Sequence, residues 1–381
     1  MRTFLLFLLL LAPTWVSANT YYIGVTGCSD SYTTTQAQNA STPWCTFGHS
    51  ISQLIAGDTL TALNGTYREA LNIDKSGSSG FPITIRAQNK WRAAISPTSA
   101  QTSKNLGIVI ILGGSYVKLL NFDILGPSDG TAQQGIKSFF GSSANDLIKG
   151  NKIHRVGLVG CSGGAAILSA GHNNTIDSNL IYDIGAPPSY GCNDWDGIYL
   201  NSGNGQTVIN NIIIGSPNQP HLGMLQANGS ESNFPSNVTF ANNTVVNGPK
   251  NDGLYMTCWT MGSVCDNNKV NNNIFYGIAT ATGAGVIYTT QNLGTFGRNN
   301  LLSNNIIYGS GGNHIEGGTM PVHTIGGNPL FINYTGDQTG NYHVRPTSPA
   351  IKAGTSAGAP NHDFDGTPRP TTDGYVIGAY Q

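Results

Sequence analysis

The chain has 381 residues, of which only 10% are charged, and its formal net charge at neutral pH is −1. An average domain carries roughly 25% charged residues. This composition excludes a basic field for nucleic acid and a polybasic patch for anionic membranes. Glycine is abundant, with 50 residues. The composition therefore predicts a polar, nearly uncharged surface that suits neutral, hydroxyl-rich or weakly acidic ligands.

Residues 1–18 are predicted to be a secretory signal peptide. Arg2 precedes an apolar run from Phe4 to Leu11, and the segment ends in small residues at Ala18. The apolar run is too short to span a bilayer, and no other stretch is predicted to do so. We therefore expect a secreted or extracellular protein with no membrane span and no nucleic-acid partner, and we expect it to be a monomer.

One amphipathic helix is predicted near the start of the mature chain, between Phe47 and Ile55. The spacing of Phe47, Ile51, Leu54 and Ile55 is typical of one apolar helix face. A terminal element of this kind is needed to cover the open end of a repetitive fold. We therefore predict a structural role for this helix.

From Asn121 onward the sequence repeats with a period of about thirty residues. Seven asparagines recur in similar apolar contexts, at intervals of 30, 28, 32, 32, 30 and 32 residues: Asn121, Asn151, Asn179, Asn211, Asn243, Asn273 and Asn305. About halfway between them lies a second series of short apolar segments, which begin at Gly135, Ala165, Gly197, Gly223, Gly253 and Gly285. Each period therefore predicts at least two short strands and no helix.

The repeat predicts a parallel β-solenoid. Helical repeats would need apolar residues at 3.6-residue spacing, and propeller blades would need about four strands in 40 or more residues. In a solenoid each coil stacks on the previous one, and alternate apolar residues fill a narrow core. The asparagines would then stack at one corner, where each amide can bond its neighbours above and below. We therefore predict that the asparagine series is structural.

Three segments resemble the secreted right-handed parallel β-helix proteins of the pectate-lyase-like superfamily. The opening from Tyr21 to Ile73 is similar to the family's N-terminal strand and capping helix. The segment GFPITIRAQN, which begins at Gly80, resembles its first full coil, and the ending from Asn328 resembles its closing segment. The resemblance implies an all-β, right-handed parallel β-helix with an N-terminal capping helix and an irregular C-terminal cap. It implies little about the reaction, because this fold carries lyases, hydrolases and non-catalytic proteins.

These patterns divide the chain into four predicted segments. The signal peptide, 1–18, is followed by an N-terminal strand and capping helix in 19–75. The parallel β-helix coils occupy 76–320, and a C-terminal capping segment occupies 321–381.

The six cysteines are predicted to form disulfides, because an oxidising compartment favours disulfides over thiolate metal sites. Proximity along the chain favours three pairs: Cys28 with Cys45, Cys161 with Cys192, and Cys258 with Cys265. Other pairings stay open, since sequence alone does not determine connectivity.

Reactive side chains are predicted to converge on three neighbouring coils, because outward residues of stacked coils form columns about 4.8 Å apart. We align the strands by placing Gly197, Gly223 and Gly253 at equivalent positions of successive coils. This alignment predicts one column of Asp196, Leu222 and Asp252, and a second of Tyr199, Leu225 and Tyr255. His221 is then level with Trp195, while Asp194 and Lys250 flank the same strand edge. The gathered set is Asp194, Asp196, Tyr199, His221, Lys250, Asp252 and Tyr255.

The leading hypothesis is β-elimination on a uronic-acid polysaccharide, the commonest activity in the superfamily that the chain resembles. The reaction requires a neutralised uronate carboxylate, a base for the C5 proton and an acid for the leaving oxygen. Asp194, Asp196 and Asp252 are the predicted ligands of a Ca²⁺ ion, which prefers hard oxygen donors. Lys250 or His221 is the predicted base, and Tyr199 or Tyr255 the predicted acid. The predicted substrate-binding residues are Lys137, Trp195 and Asn201.

Two other functions stay open. A glycoside hydrolase would use Asp196 and Asp252, which are about 9 to 10 Å apart, near the upper limit for an inverting pair. A non-catalytic carbohydrate-binding or surface protein would also fit the low charge. Superfamily lyases with an Asp-Gly-Phe-x-x-Lys motif carry a lysine base where Asn201 and Thr257 stand here, so no residue is carried over from that subtype. Ordinary turn chemistry is the alternative role of the two Asp-Gly pairs.

Overall fold

A computed structural model describes most of the chain. The described residues are 18–98, 107–111, 114–138, 143–159, 164–185, 195–201, 203–215, 221–226, 236–248, 252–258, 264–278, 286–289, 295–309, 313–315, 322–372 and 374–381. Residues 1–17, which contain most of the predicted signal peptide, lie outside them. Neither helix among the described residues is long and apolar enough to cross a membrane.

The chain winds into a right-handed parallel β-helix, as the sequence predicts. A typical coil contributes one short strand to each of three parallel sheets, one more strand than the minimum that the sequence requires. Strands of consecutive coils pair in register: Ile136 lies level with Ile167, and Ile167 with Ile198. The third strand arises because each asparagine turn has a short strand on both sides. Sheets 2 and 3 therefore meet at the asparagine corner.

The strands of the three sheets have the following bounds. Sheet 1 comprises Leu71–Ile73, Gly107–Ile111, Gln134–Ser138, Gly164–Ser169, Trp195–Leu200, His221–Gln226, Asp252–Thr257, Val286–Thr289 and Asn313–Ile315. Sheet 2 comprises Thr20–Ile23, Thr59–Ala62, Ile83–Ala87, Val117–Leu120, Leu147–Lys149, Thr175–Asp177, Thr207–Ile209, Thr239–Ala241, Lys269–Asn271, Leu301–Tyr308 and Val322–Ile325. Sheet 3 comprises Gly65–Tyr67, Ala93–Ile95, Asp123–Leu125, Lys152–Val156, Leu180–Ile184, Ile212–Ile214, Thr244–Val246, Ile274–Tyr276 and the second half of Leu301–Tyr308.

Four further strands and two helices complete the described structure. Val264–Cys265 pairs in parallel with Thr295–Phe296, and Phe331–Asn333 forms an antiparallel hairpin with Asn341–Val344. The helices are Thr34–Ala37 and Phe47–Gln53.

The core is a set of apolar stacks that run through the coils. One stack on sheet 1 consists of Val109, Ile136, Ile167, Ile198 and, two coils further on, Leu254, and each of these side chains is at most 1% exposed. Each buried aliphatic side chain contributes about 1.5 to 3 kcal/mol. The stacks therefore fix which residues of each strand face inward.

The asparagine ladder is confirmed from Asn151 to Asn305. The Oδ1 atom of Asn211 accepts hydrogen bonds from the backbone N–H of Asn179 at 2.9 Å and from its Nδ2 atom at 3.0 Å. The Nδ2 atom of Asn179 also donates to the carbonyl oxygen of Ile148 at 3.0 Å. The same pattern continues through Asn243 and Asn273. Each coil is thus bonded to the next by a buried amide.

The prediction that Asn121 begins this ladder is wrong. Phe122 occupies the corner position, and its backbone N–H donates to Oδ1 of Asn151 at 3.0 Å. Its ring packs edge-on against Phe47 of the capping helix, with the ring centroids 6.5 Å apart. Asn121 instead adopts a left-handed conformation, with φ at 68°. An aromatic residue therefore replaces the amide where the ladder meets the apolar cap.

The capping helix is shorter than the sequence suggests. It spans Phe47–Gln53, and the side chain of Thr46 caps it by accepting from the backbone N–H of His49 at 3.3 Å. Phe47 and Ile51 are buried, as predicted. Ile55 is 53% exposed, contrary to prediction, because the chain becomes extended at Leu54 and carries Ile55 off the helix.

Two of the three favoured disulfides are present. Cys28 pairs with Cys45 beside the capping helix, and Cys258 pairs with Cys265 just after a sheet 1 strand. Cys161 and Cys192 lie outside the described residues, so their pairing stays a prediction.

A second buried polar ladder, which the sequence analysis did not predict, lies between sheets 1 and 2. Asp146 accepts from the backbone N–H of Val117 at 2.9 Å, and Asn174 accepts from that of Asp146 at 3.0 Å. Asn268 and Asn300 repeat the arrangement further along the helix. Asp146 is only 1% exposed, so burial raises its pKa to about 6, although the Val117 amide and the Ser143 hydroxyl partly oppose this shift.

The raised pKa of Asp146 predicts that the free energy of unfolding depends on pH. The folded-state pKa lies above the unfolded value of about 3.9, so the folded chain binds this proton more tightly. This contribution is complete below about pH 4 and is lost as pH rises through about 6. We expect the parent to lose roughly 2 to 3 kcal/mol relative to Asp146→Asn between pH 4 and pH 7, as measured by urea unfolding. A difference between the two proteins that does not change with pH would contradict the assignment.

The irregular C-terminal segment packs along the flank of the helix. Asn242 Nδ2 donates to the carbonyl oxygens of Val376 and Gly378 at 3.1 and 3.2 Å. The guanidinium of Arg369, which is 4% exposed, donates to Oδ1 of Asn210 at 3.1 Å. Apolar residues of this segment pack with Ile212, Ile274 and Ile306 of sheet 3. This part of the outer face of sheet 3 is therefore covered.

Candidate active site on sheet 1

The backbone register of sheet 1 places the charged residues differently from the glycine alignment. Asp196 lies level with His221, and His221 lies level with Asp252. The predictions that Leu222 lies between the two aspartates and that His221 is level with Trp195 are therefore wrong by one position. Gly223 instead lies level with Ile198 and Leu254. The corrected column is Asp196, His221 and Asp252 on three consecutive coils.

A second column contains the two tyrosines. Tyr199 lies level with Met224, and Met224 with Tyr255. Leu225, which was predicted between the tyrosines, is level with Leu200 and Met256 instead. Each tyrosine thus lies one coil from the His221 strand, on opposite sides of it.

Tyr199 and Asn201 lie on the outer face of their strand, because they alternate with Ile198 and Leu200, which belong to the core. Asp196 is 6% exposed and lies level with Ala165, which packs with Leu168 in the small cluster that Tyr199 contacts. The Tyr199 hydroxyl donates to Oδ1 of Asn201 at 2.9 Å. Burial raises the pKa of Tyr199 strongly, and the nearby charge of Asp196 raises it further. The phenol is therefore protonated at neutral pH, which suits a proton donor and not a base.

Trp195 does not offer a face to a sugar in this structure, contrary to the predicted substrate-binding role. Its side chain is 1% exposed. The ring packs on the backbone of glycines from other coil segments: an added Cβ would lie 2.0 Å from a ring atom at Gly157, 2.5 Å at Gly164 and 3.1 Å at Gly185. Trp195 therefore fills a space that side chains at these glycines would occupy.

Lys137 is on the same column as Tyr199, two coils earlier. Lys137 lies level with Leu168, and Leu168 with Tyr199. Only 8% of Lys137 is exposed, and burial lowers its pKa. It is therefore held in the sheet face and is not an ordinary solvated lysine.

The sequence analysis missed the residues that line the space between Lys137 and Tyr199. Gln134 lies level with Gly107 of the coil before it and with Ala165 of the coil after it, and Ala165 lies level with Asp196. Leu168 forms a small apolar cluster with Ala165 and Ala170, against which Tyr199 packs. The signal for Ala165 and Leu168 is their place in the second repeat series, whose segment begins at Ala165, whereas Gln134 lies one residue before the segment that begins at Gly135.

Several predicted site residues are described in part or not at all. Asp194 and Lys250 lie outside the described residues. For His221 and Asp252 the strand position is described and the side chain is not. Tyr255 is half-buried, and its strand position is the predicted one relative to Tyr199.

The register also bears on the predicted calcium site. Asp196 and Asp252 are two coils apart, about 9 to 10 Å between backbones, whereas calcium holds its ligand oxygens at about 2.3 to 2.6 Å. One ion shared by both would require the two side chains to lean toward each other across the His221 position. Within the described ranges no group of three His, Cys, Asp or Glu residues could hold a metal ion. Calcium therefore stays a prediction, and no step below depends on it.

Comparison with known proteins finds a similar fold among solved structures. No family model and no curated protein matches the chain. Pectate lyase Pel9A matches over 96% of this chain and 97% of its own, with a TM-score of 0.53 and 13% sequence identity. The chain therefore shares its parallel β-helix fold with this pectate lyase. At this identity the likeness establishes the fold alone.

Two further structures are similar over part of the chain. Alginate lyase from Paenibacillus sp. str. FPU-7 has 14% identity and a TM-score of 0.45, and the match covers 73% of this chain and 94% of that one. The lacto-N-biosidase of GH136 from Eubacterium ramulus has 12% identity and a TM-score of 0.42, with 78% and 57% covered.

Proposed function

We propose that the chain is a secreted polysaccharide lyase that cleaves a uronic-acid-containing polysaccharide by β-elimination. The observation that carries the proposal is the register of sheet 1, which places His221 between Asp196 and Asp252. The pectate lyase fold and the low surface charge also support it. In the reaction a base removes the C5 proton, the electron pair forms the C4–C5 double bond, and the C4–oxygen bond breaks.

His221 is the proposed base. An imidazole has an ordinary pKa near neutrality, so it can accept a proton under physiological conditions. Its strand position lies between those of two aspartates, and we propose that their carboxylates favour the imidazolium that forms when it does so. This arrangement favours His221 over Lys250, the other predicted base.

Tyr199 is the proposed acid for the leaving oxygen. Burial and the charge of Asp196 keep its hydroxyl protonated, and its bond to Asn201 at 2.9 Å orients it. Tyr255 is the corresponding phenol on the other side of His221. Lys137, two coils from Tyr199, is proposed to bind a neighbouring uronate of the chain.

Calcium is a further proposal, with Asp196 as the candidate ligand whose side chain is described. A bound ion would neutralise the substrate carboxylate and so acidify the C5 proton. Chelation followed by dialysis is then expected to abolish cleavage, and added Ca²⁺ to restore it. Full activity after chelation would contradict this part alone.

The test of the proposed function is incubation with polygalacturonate, alginate and rhamnogalacturonan. Cleavage is followed by the ultraviolet absorbance of the unsaturated uronate product. We expect absorbance to rise with at least one polymer and to be absent with Tyr199→Phe. Retention of several polymers without any cleavage would instead favour a binding protein.

A glycoside hydrolase is the second candidate, because one observation favours it. Asp196 and Asp252 are two coils apart in the register. This separation is near the upper limit of the distance between the two carboxylates of an inverting glycosidase. New reducing ends without ultraviolet absorbance would support it.

A further inference from the structure

A cleft lies outside sheet 1, between the C-terminal hairpin and the late coils of sheet 3. Its volume is about 310 Å³. Tyr276, Phe331 and Tyr334 line it with aromatic surface, and Asn328, Arg345 and Thr347 supply polar groups. This volume is at the lower end of small-ligand sites, roughly 300 to 1,000 Å³. The cleft therefore suits a single ring-sized group of a larger ligand.

The aromatic wall is continuous and partly open to solvent. The ring centroids of Tyr276 and Tyr334 are 4.5 Å apart, and those of Tyr276 and Phe331 are 5.4 Å apart. Tyr276 also stacks on Tyr308 of the next coil at 5.6 Å. Tyr308 and Tyr334 are each 38% exposed. Such surfaces combine an apolar face with a polar hydroxyl, as the packing of a sugar ring requires.

Among the residues that line the cleft, Arg345 is the charged one. Arg345 is exposed, and among the described residues its guanidinium donates long hydrogen bonds to the carbonyl oxygens of Phe331 at 3.4 Å and Ile332 at 3.3 Å. No residue that lines the cleft is acidic, and within the described part of the chain no carboxylate forms an ion pair with Arg345. A guanidinium matches the planar geometry of a carboxylate. The cleft is thus suited to an anionic sugar.

We propose that this cleft binds a uronate residue of an acidic polysaccharide. The carboxylate pairs with Arg345, and the sugar ring packs on Tyr334 and Tyr276, which line the cleft. The site is separate from the proposed catalysis, because none of its residues belongs to sheet 1. It holds the polymer to the enzyme and does not cut it.

The test is a calorimetric titration of the full mature chain with trigalacturonate and with trimannuronate. The chain carries Lys137→Gln and His221→Ala, which weaken the sheet 1 site and prevent cleavage. Fully methyl-esterified trigalacturonate is the matched neutral ligand. We expect at least one acid trisaccharide to bind, and trigalacturonate, if it is the ligand, to bind about tenfold more tightly than its ester.

Arg345→Gln is expected to reduce this binding about tenfold and leave the thermal unfolding midpoint unchanged, because the side chain is exposed. Arg298→Gln, at another exposed arginine, is the control and should bind as the parent does. The proposal is overturned if neither acid trisaccharide binds, or if Arg345→Gln binds within twofold of its parent. Because Arg345→Gln and its parent carry the same sheet 1 substitutions, the difference between them reports on the cleft alone, and either outcome leaves the proposed lyase function untouched.

Discussion

His221→Ala is expected to lower kcat for polysaccharide cleavage by about a hundredfold to ten-thousandfold, the range typical of a lost general base. The strand position of His221, level with both Asp196 and Asp252, is the reason. KM should change by less than about threefold, because substrate binding is assigned to other residues. Initial rates from ultraviolet absorbance measure both constants.

The matched control for this variant is His49→Ala. His49 lies on the capping helix, where its ring packs edge-on against Trp44 at 5.3 Å. It should retain the parent's kcat, and both variants should keep a thermal unfolding midpoint close to that of the parent. If His221→Ala keeps more than a tenth of the activity, His221 is not the base, and Lys250→Ala becomes the decisive variant.

Asn211→Ala is expected to reduce the free energy of unfolding by about 3 to 5 kcal/mol. Asn211 Nδ2 donates to the carbonyl oxygens of Ile176 and Ile209 and to Oδ1 of Asn243, each at 3.0 Å. Its Oδ1 also accepts two bonds from Asn179. Each buried group left without its partner costs about 1 to 3 kcal/mol. Urea unfolding followed by circular dichroism measures the loss.

Asn89→Ala is the control for burial, because it also removes a side-chain amide hydrogen bond but does so at an exposed position. Asn89 Nδ2 donates to Oδ1 of Asn64 at 3.1 Å at an exposed position. Its loss should cost less than about 0.5 kcal/mol, because water replaces the partner. Equal losses for the two variants would show that the buried ladder contributes no more than an exposed bond.

The fold could be predicted from the sequence because one buried position in each repeat accepts few residue types, so the same residue recurs there. A buried amide that bonds both neighbouring coils requires asparagine, so Asn151 to Asn305 recur at the coil spacing. Asn121 looked like a member because its spacing fits. Phe122 occupies the position because the capping helix supplies an apolar partner, Phe47. Spacing alone does not contain that tertiary contact.

Aligning the strands by their glycines predicts a register for the candidate site that differs from the observed one by one residue at the His221 strand. Glycine has no side chain that must face the core, so it can stand at any position of a strand. The apolar residues decide the register: Ile198 and Leu254 belong to the core, and Gly223 lies level with them. The correction moved His221 from beside Trp195 to between the two aspartates.

The burial of Trp195 could not be predicted from the sequence, because it too depends on tertiary contacts. Its ring packs on Gly157, Gly164 and Gly185, which come from separate turns and strands. An aromatic residue next to an acidic one is typical of a sugar site, and only the three-dimensional packing shows that this ring is enclosed.

We propose that sheet 1 carries a site that cleaves its substrate by elimination, which adds no solvent oxygen to the products. The most direct measurement is the mass of the products after cleavage in heavy-oxygen water, with His221→Ala as the inactive reference. Elimination adds no water, so we predict unsaturated fragments without heavy oxygen, whose masses sum to that of the substrate. Incorporation of one heavy oxygen at each cleaved bond would mean hydrolysis, and would contradict the account.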